Sequence, residues 1–181
     1  MNPTAAALVA HYGMQPLPVE GTWFVSTWRS DPAQDLPGGG PLGTPVGTAM
    51  IGLYTADPPS HRRFHRLTHD EVWHFYGGHP IRLVLLHPDG RDEEVTLGPD
   101  PLAGQAVQHV IPAGVWQAGE LAAGGEWALF GCTMAPGFTG TCFEGGPAAA
   151  LLAGWPARAE DNTRLALPDD HSTRMPDGFA T

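Results

Sequence analysis

Apolar and aromatic residues occur in short runs along the chain, and glycine, proline or polar residues separate these runs. Aromatic and β-branched side chains favour strands, whereas glycine and proline mark turns. The pattern therefore predicts an all-β domain of many short strands, which is typical of a sandwich or a barrel. The predicted strands span residues 22–29, 48–54, 61–67, 71–76, 81–87, 93–97, 108–112 and 126–134.

Two segments near the N-terminus depart from the strand pattern. Residues 4–13 predict a short helix that Thr4 caps and Gly13 ends. Residues 31–47 contain five glycines and four prolines, which predicts a long loop. A loop of that length in a small domain is often a lid over a binding site.

The chain length predicts a single domain. Its 181 residues can bury one sizeable core but are too few for two ordinary domains. Residues 147–153 predict a second short helix. We expect the domain to span residues 1–155 and residues 156–181 to form a loosely ordered tail, since that segment is polar and contains prolines.

Charge excludes several function classes. The formal net charge is −10, and all nine basic residues are arginines. An acidic chain lacks the electrostatic footprint of a nucleic-acid-binding protein, and the absence of lysine excludes Schiff-base chemistry and a P-loop. Arg62, Arg63 and Arg66 form a small basic cluster that suits one anionic small molecule.

Hydropathy and cysteine content bear on the compartment. No apolar run reaches the roughly 18 residues that a membrane-spanning helix needs, so we expect no membrane association. Cys132 and Cys142 are the two cysteines, and a chain of this size needs no disulfide for stability. We therefore expect a reduced, cytoplasmic protein.

Five of the nine histidines lie between residues 61 and 79. On an extended chain alternate side chains share a face, which can direct His65 and Glu71 to the same side. Burying an imidazole and a carboxyl group is costly unless they are paired, hydrogen-bonded or bound to a metal. His65 and Glu71 are therefore the candidate catalytic residues, the alternative being a satisfied buried pair without turnover.

The segment HRLTHDEVWHFYGG at residues 65–78 resembles the first motif of the cupin superfamily, G-x5-H-x-H-x3–4-E-x6-G. His65 takes the place of the first histidine, Glu71 that of the glutamate and Gly78 that of the closing glycine. Residues 112–117, PAGVWQ, resemble the proline and glycine turn of the second cupin motif. The two matches imply a cupin jelly-roll β-barrel or sandwich with short flanking helices.

Within the cupins the chain is most similar to the cupin-5 family, a domain of unknown function. The phrases that carry the likeness are RFHRL, DEVWHFYGG, VIPAGVWQ and GCTMAPGF. The resemblance implies a homodimer and leaves the activity unassigned. Near the start the chain has Val19-Glu20-Gly21-Thr22-Trp23 where the family has a glycine-glycine-tyrosine phrase, which implies a changed pocket mouth.

The metal ligands of the cupin motifs are incomplete here. Leu67 replaces the second histidine and Gln117 replaces the motif-2 histidine. Leucine cannot coordinate a metal, and an amide oxygen is a weak ligand for a transition metal. We therefore expect no cofactor, with a divalent metal held by His65, Glu71 and Gln117 as the alternative.

The barrel interior is expected to form a small-molecule pocket. Its predicted lining combines the catalytic pair with substrate-binding residues, namely Arg63, Trp73, Phe75, Trp116 and Gln117. Cupins that epimerise nucleotide-linked keto-sugars place an arginine shortly before the catalytic histidine, and the segment from Arg62 to His65 resembles that arrangement. The sequence thus predicts an isomerase or epimerase with His65 as general base. The alternatives are a ligand-binding module without turnover and a metal-dependent cupin enzyme.

Overall fold

Two antiparallel sheets form the body of the molecule. The structure, a computed structural model, describes residues 1–31, 44–168, 170–177 and 179, so most of the predicted loop at 31–47 lies outside the described residues. The strands are β1 Gln15–Pro16, β2 Trp23–Arg29, β3 Thr48–Thr55, β4 Arg62–Leu67, β5 Glu71–Gly78, β6 Ile81–Leu86, β7 Asp92–Leu97, β8 Gln108–Ile111, β9 Trp116–Leu121, β10 Trp127–Met134 and β11 Phe143–Gly145.

The strand order identifies a sandwich. One sheet has the order β1-β2-β3-β10-β5-β8, and the other has the order β11-β4-β9-β6-β7. This all-β arrangement confirms the predicted fold class, and all predicted strands are present with shifted ends. Alternation along each strand directs one set of side chains into the space between the sheets.

The core between the sheets consists mainly of aromatic and aliphatic side chains. Phe130 on β10 lies opposite Gly52 on β3, and any side chain at Gly52 would overlap the Phe130 ring. Trp73 stacks on Phe130 with 4.8 Å between ring centroids. This close packing leaves little empty volume in the middle of the sandwich.

A short helix, α1 Pro3–Tyr12, covers the outer face of the six-stranded sheet. Asn2 caps α1 by accepting hydrogen bonds from the N–H groups of Thr4 and Ala5, and Gly13 ends the helix in the left-handed region with φ 63°. The cap is therefore Asn2 rather than Thr4, because Pro3 already occupies the first helical position.

The C-terminal segment packs on the outer face of the five-stranded sheet. It contains α2 Ala148–Gly154 and α3 Ala159–Arg164, and Leu165, Ala166 and Leu167 beyond them are buried. Residues 156–168 thus differ from the loosely ordered tail that composition suggests, because their apolar side chains cover an apolar sheet face.

The two cysteines do not form a disulfide with each other, since Cys132 and Cys142 are both free and buried. Within the described part of the chain, no helix combines the length and apolar character needed to cross a bilayer.

Candidate binding site between the two sheets

Four of the candidate residues meet between the sheets. His65 on β4 lies opposite Gln117 on β9, and Glu71 and Trp73 project inward from β5 on the facing sheet. The indole Nε1–H of Trp73 donates to Glu71 Oε2 at 3.0 Å and to Gln117 Oε1 at 2.9 Å. The Trp73 indole therefore links the two sheets.

Phe75 follows Glu71 and Trp73 on the same face of β5. It is half-buried and packs against the core cluster between the sheets. Its ring contributes to packing and does not line the cavity described below.

Arg63 and Trp116 do not face the interior, which corrects two of the predicted substrate-binding positions. Arg63 Nη1 donates to the carbonyl of Ala166 at 3.0 Å. Trp116 packs with the outer-face cluster, where the guanidinium of Arg66 lies 4.6 Å from its ring centroid. Adjacent residues of a strand point to opposite faces, so Gln117 facing inward places Trp116 outward.

A β-bulge in β4 places Arg62 in the interior instead of Arg63. Arg62 pairs with Gly119 and His65 pairs with Gln117, so β4 uses one residue more than β9 between these pairs. An extra residue reverses the alternation of side chains. Arg62 and His65 therefore share the inner face although they are three positions apart.

Arg62 is the central charge of the site and is 2% exposed. Its Nε–H donates to Glu20 Oε2, and its Nη1 lies 3.5 Å from Glu71 Oε1 and 3.1 Å from Cys132 Sγ. The guanidinium carbon also lies 4.9 Å from the Trp73 ring centroid, within the range of a cation–π contact. We refer to Glu20, Arg62 and Glu71 as the buried charge centre.

Glu20 and Arg62 stabilise each other's charged forms. Burial alone would raise the pKa of Glu20, but Arg62 and His65 outweigh burial and hold that pKa below its usual value. Burial likewise disfavours the charged form of Arg62, whereas Glu20 and Glu71 raise the pKa of the guanidinium well above its usual value. Arg62 and Glu20 are thus a charged pair inside the protein.

A tight turn between β1 and β2 brings Glu20 into the interior. The N–H of Leu17 donates to Thr22 O at 2.7 Å, and the N–H of Gly21 donates to Leu17 O at 3.0 Å. Val19 within this turn has φ 68°, which is unfavourable for a β-branched residue. The turn buries Leu17 and Glu20 together.

His65 is fully buried and uncharged near neutral pH. Burial lowers its pKa below the usual 6.5, against the opposing effect of Glu20. Nδ1 lies 2.8 Å from the carbonyl of Arg63, so the proton resides on Nδ1. The ring stacks on Phe143 with centroids 5.4 Å apart, and Nε2 has no hydrogen-bond partner among the described residues.

A cavity of about 20 Å³ adjoins the buried charge centre. This volume holds about one water molecule. Its walls combine polar and apolar side chains from both sheets and from the turn that carries Glu20. The lining residues are Leu17, Glu20, Thr48, Ala49, Met50, Arg62, Glu71, Cys132, Met134 and Phe138.

Comparison with known proteins identifies the family. A model of the family described as Cupin_5, Cupin superfamily (DUF985), matches residues 6–145. The chain belongs to the Cupin_5 family. This agrees with the resemblance noted from its motifs. No curated protein sequence matches this cupin.

Solved structures support the assignment of the fold. This cupin is similar to protein SO0799 from Shewanella oneidensis, with 29% identity and a TM-score of 0.78 over 91% of this chain and 98% of that one. A hypothetical protein from Leishmania major gives 24% identity and a TM-score of 0.77 over 91% and 99% of the two chains. Oxalate decarboxylase from Bacillus subtilis shares the fold at 13% identity, with a TM-score of 0.50 over 93% of this chain and 40% of that one.

The residues at the cupin metal positions do not fit a metal ion in this member. Among the described residues, no cluster of three histidine, cysteine or acidic side chains has the geometry of a metal site. The Arg62 guanidinium lies beside Glu71, and Trp73 donates to the oxygens of both Glu71 and Gln117. A metal ion at these positions would have to displace the hydrogen bonds that Trp73 donates to Glu71 and Gln117.

Sequence reasoning missed Glu20 and Arg62 as site residues. From the sequence Arg62 belongs to a basic cluster and to the arginine-containing segment before His65, but the bulge that turns its side chain inward leaves no mark in the pattern. The available signal was its position within the RRFH phrase before the candidate histidine. Glu20 lies in a turn segment, where an acidic residue is ordinarily exposed.

Proposed function

We propose that this cupin binds a small molecule at the buried charge centre, without a metal ion. The observation that carries the proposal is a charged group of three side chains, each at most 3% exposed, on the wall of a cavity. Charged side chains are rarely buried to this degree. Where they converge on a cavity, they mark a candidate ligand site.

Energetics support a functional role for the centre. A buried ion pair often adds less stability than apolar side chains of the same volume would. The core around it is otherwise well packed and apolar. In a purely structural role, Glu20, Arg62 and Glu71 would have no stability advantage over apolar residues of the same volume. Ligand recognition accounts for their presence.

Cavity size limits the ligand. The present volume holds about one water molecule, so a sugar nucleotide does not fit between the sheets. Met50 and Met134 line the cavity, and methionine side chains rearrange readily to admit a guest. A ligand of a few heavy atoms is therefore favoured, which disfavours the nucleotide-linked substrates suggested by the sequence.

A fragment panel tests the proposal by NMR. The probes are methylammonium, urea, ethanol, acetone and acetate, and the signal is the indole N–H of Trp73, which donates into the centre. We expect a saturable shift of this signal with at least one probe, before and after EDTA treatment, while the half-exposed Trp28 stays unchanged. No Trp73 shift with any probe, or a shift lost with EDTA, would contradict the proposal.

A second candidate function is proton transfer by His65, the isomerase-type chemistry suggested by the sequence. The observation that favours it is the uncharged imidazole with a free Nε2. Glu20 Oε2 lies 4.0 Å from Nδ1, close enough to stabilise the protonated ring electrostatically. The Tyr54 hydroxyl is buried and has no partner in the described chain, which makes it a candidate proton donor.

Exchange of carbon-bound protons tests this second function. Hydroxyacetone in D2O provides a carbonyl compound of few atoms with exchangeable α-protons. Faster exchange with the wild-type protein than with a folded His65→Gln variant would support proton transfer. Equal exchange rates for the two proteins would contradict proton transfer by His65 and leave ligand binding as the proposed function.

We also propose a homodimer formed through the barrel edge. Strand β8 is at the end of its sheet, and Val110 on this strand and Val107 just before it are about half exposed. An exposed apolar edge strand readily pairs with another chain. Sedimentation velocity should show a dimer for the wild type and a monomer for Val110→Glu, and a wild-type monomer would contradict this proposal.

A further inference from the structure

We infer that the ligand is an uncharged or cationic molecule that presents N–H or O–H groups to Glu20, and that anionic ligands are excluded. This inference rests on the proposed function, since it specifies the ligand class of the same cavity. It is based on which hydrogen-bonding atoms of the buried charge centre have a partner among the described residues and which do not. Three independent features of the site lead to it.

The first feature is that the strong donors of the site are already engaged. Arg62 donates to Glu20 and contacts Cys132 and Glu71. Trp73 donates to Glu71 and Gln117. A ligand that offered only acceptor atoms would have to compete with these internal partners.

The second feature is that the free position on the cavity wall is an acceptor. Within the described residues, Glu20 Oε1 is buried and has no hydrogen-bond partner, and Glu20 lines the cavity. A carboxylate oxygen only accepts hydrogen bonds. Buried polar atoms are nearly always satisfied in native proteins, so this atom needs a donor from outside the chain.

The third feature is charge. The carboxylate of Glu20 lies on the cavity wall, and its pairing with Arg62 favours its charged form. An anion that entered the low-dielectric interior beside this carboxylate would be repelled. A neutral or cationic molecule avoids this repulsion.

The apolar walls define the rest of the ligand. Leu17, Met50, Met134 and Phe138 line the cavity with the charge centre. A small molecule with a donor group at one end and a methyl or methylene group at the other satisfies both kinds of wall. Amines, amidines, ureas and small alcohols belong to this class.

Three planar probes of similar size separate charge from hydrogen-bonding capacity. Guanidinium is a cation with donors only, urea is neutral with donors and an acceptor, and acetate is an anion with acceptors only. Each is titrated into the full-length protein at concentrations far below those that unfold proteins. The Trp73 indole signal reports binding, and Trp28 is the control for surface effects.

The inference predicts that guanidinium and urea shift the Trp73 signal saturably, and that guanidinium binds at least about tenfold more tightly than acetate. Acetate binding as tightly as guanidinium would overturn the ligand class and leave the proposed function intact. If none of the three shifts Trp73, the ligand class is overturned, and the wider panel above decides whether the proposed function fails as well.

Two substitutions test whether the preference for guanidinium over acetate depends on Glu20. Glu20→Gln removes the negative charge and one acceptor, and should reduce the preference for guanidinium over acetate to less than about twofold. Glu144→Gln is the matched control, because Glu144 also pairs with an arginine but is partly exposed. Glu20→Asp, which retains the charge, serves if Glu20→Gln does not fold and should preserve the preference. An unchanged preference in Glu20→Gln, or its loss in Glu20→Asp, would overturn the role of Glu20.

Discussion

The carboxylate nearest to His65 Nδ1 is that of Glu20, whose Oε2 lies 4.0 Å away. The sequence motif instead suggested Glu71 as the partner of this histidine. Glu71 contacts Arg62 and Trp73. The interior polar group is therefore organised around Arg62, with one carboxyl group on each side of the guanidinium.

Replacing Arg62 tests the energetic coupling of this group. Arg62→Met leaves Glu20 and Glu71 without their buried cation, and we expect the free energy of unfolding to fall by about 3–5 kcal/mol. Urea unfolding followed by tryptophan fluorescence measures this change. Arg91→Met is the control, because the Arg91 side chain is 58% exposed and its loss should cost at most about 1 kcal/mol.

A double variant separates charge from packing. Glu20→Leu combined with Arg62→Met removes both members of the buried pair, so it should be more stable than Arg62→Met alone. If the double variant is less stable than the single one, the loss comes from packing and Arg62 is not primarily the charge partner of Glu20.

Stability should depend on pH through His65. Burial holds its folded-state pKa below the unfolded value of about 6.5, with Arg62 acting in the same direction and Glu20 and Glu71 opposing. The folded protein therefore binds fewer protons than the unfolded chain, and stability falls as the pH decreases through 6.5 toward the folded pKa. One such group contributes a slope of at most about 1.4 kcal/mol per pH unit.

The contribution of His65 is isolated by substitution. Burial also lowers the pKa of His61 and of His74, so the wild-type slope contains several histidines. In His65→Gln the slope of unfolding free energy between about pH 5 and 7 should be shallower than in the wild type. His171→Gln is the control at an exposed histidine. Equal slopes in all three proteins would contradict a buried neutral His65.

The fold follows from local sequence features, whereas part of the site does not. The glycine and proline turns between aromatic runs predicted an all-β domain, and the resemblance of residues 65–78 and 112–117 to the cupin motifs implied the jelly roll. Alternation from Glu71 also placed Trp73 and Phe75 correctly on one face. Turns and alternation are local properties of the chain, so they can be read from the sequence.

The inward position of Arg62 depends on tertiary structure. Simple alternation from His65 places Arg63 inside, and only the bulge against β9 substitutes Arg62. Glu20 is brought in by a turn that contains the unfavourable φ of Val19. Neither a bulge nor a left-handed valine has a sequence signature, because both are imposed by packing elsewhere.

The backbone conformation at Val19 predicts that glycine is more stabilising than alanine at this position, the reverse of their order in a helix. At φ 68° a Cβ atom is unfavourable, so Val19→Gly should be more stable than Val19→Ala by about 1 kcal/mol. Both variants lose the same valine methyl groups, and urea unfolding compares them directly. At the exposed helical position Ala6, Ala6→Gly should instead be destabilising by about 1 kcal/mol. Val19→Ala proving the more stable of its pair would exclude the left-handed conformation.

The C-terminal segment should contribute to global stability. Leu165 is fully buried against the five-stranded sheet, and Leu165→Ala is expected to reduce the free energy of unfolding by about 2–5 kcal/mol. Leu102 is 99% exposed, so Leu102→Ala should change it by less than about 0.5 kcal/mol. Equal effects of the two substitutions in urea unfolding would mean that the segment is not docked in solution.

Crystallographic soaking tests the central claim most directly. Crystals of the full-length protein are soaked separately with guanidinium, urea and acetate, and electron density is examined between the sheets. The account predicts density for guanidinium or urea within hydrogen-bonding distance of Glu20 Oε1, with Met50 or Met134 rearranged around it. Density for these probes only on the outer surface, with the cavity unchanged, would contradict it.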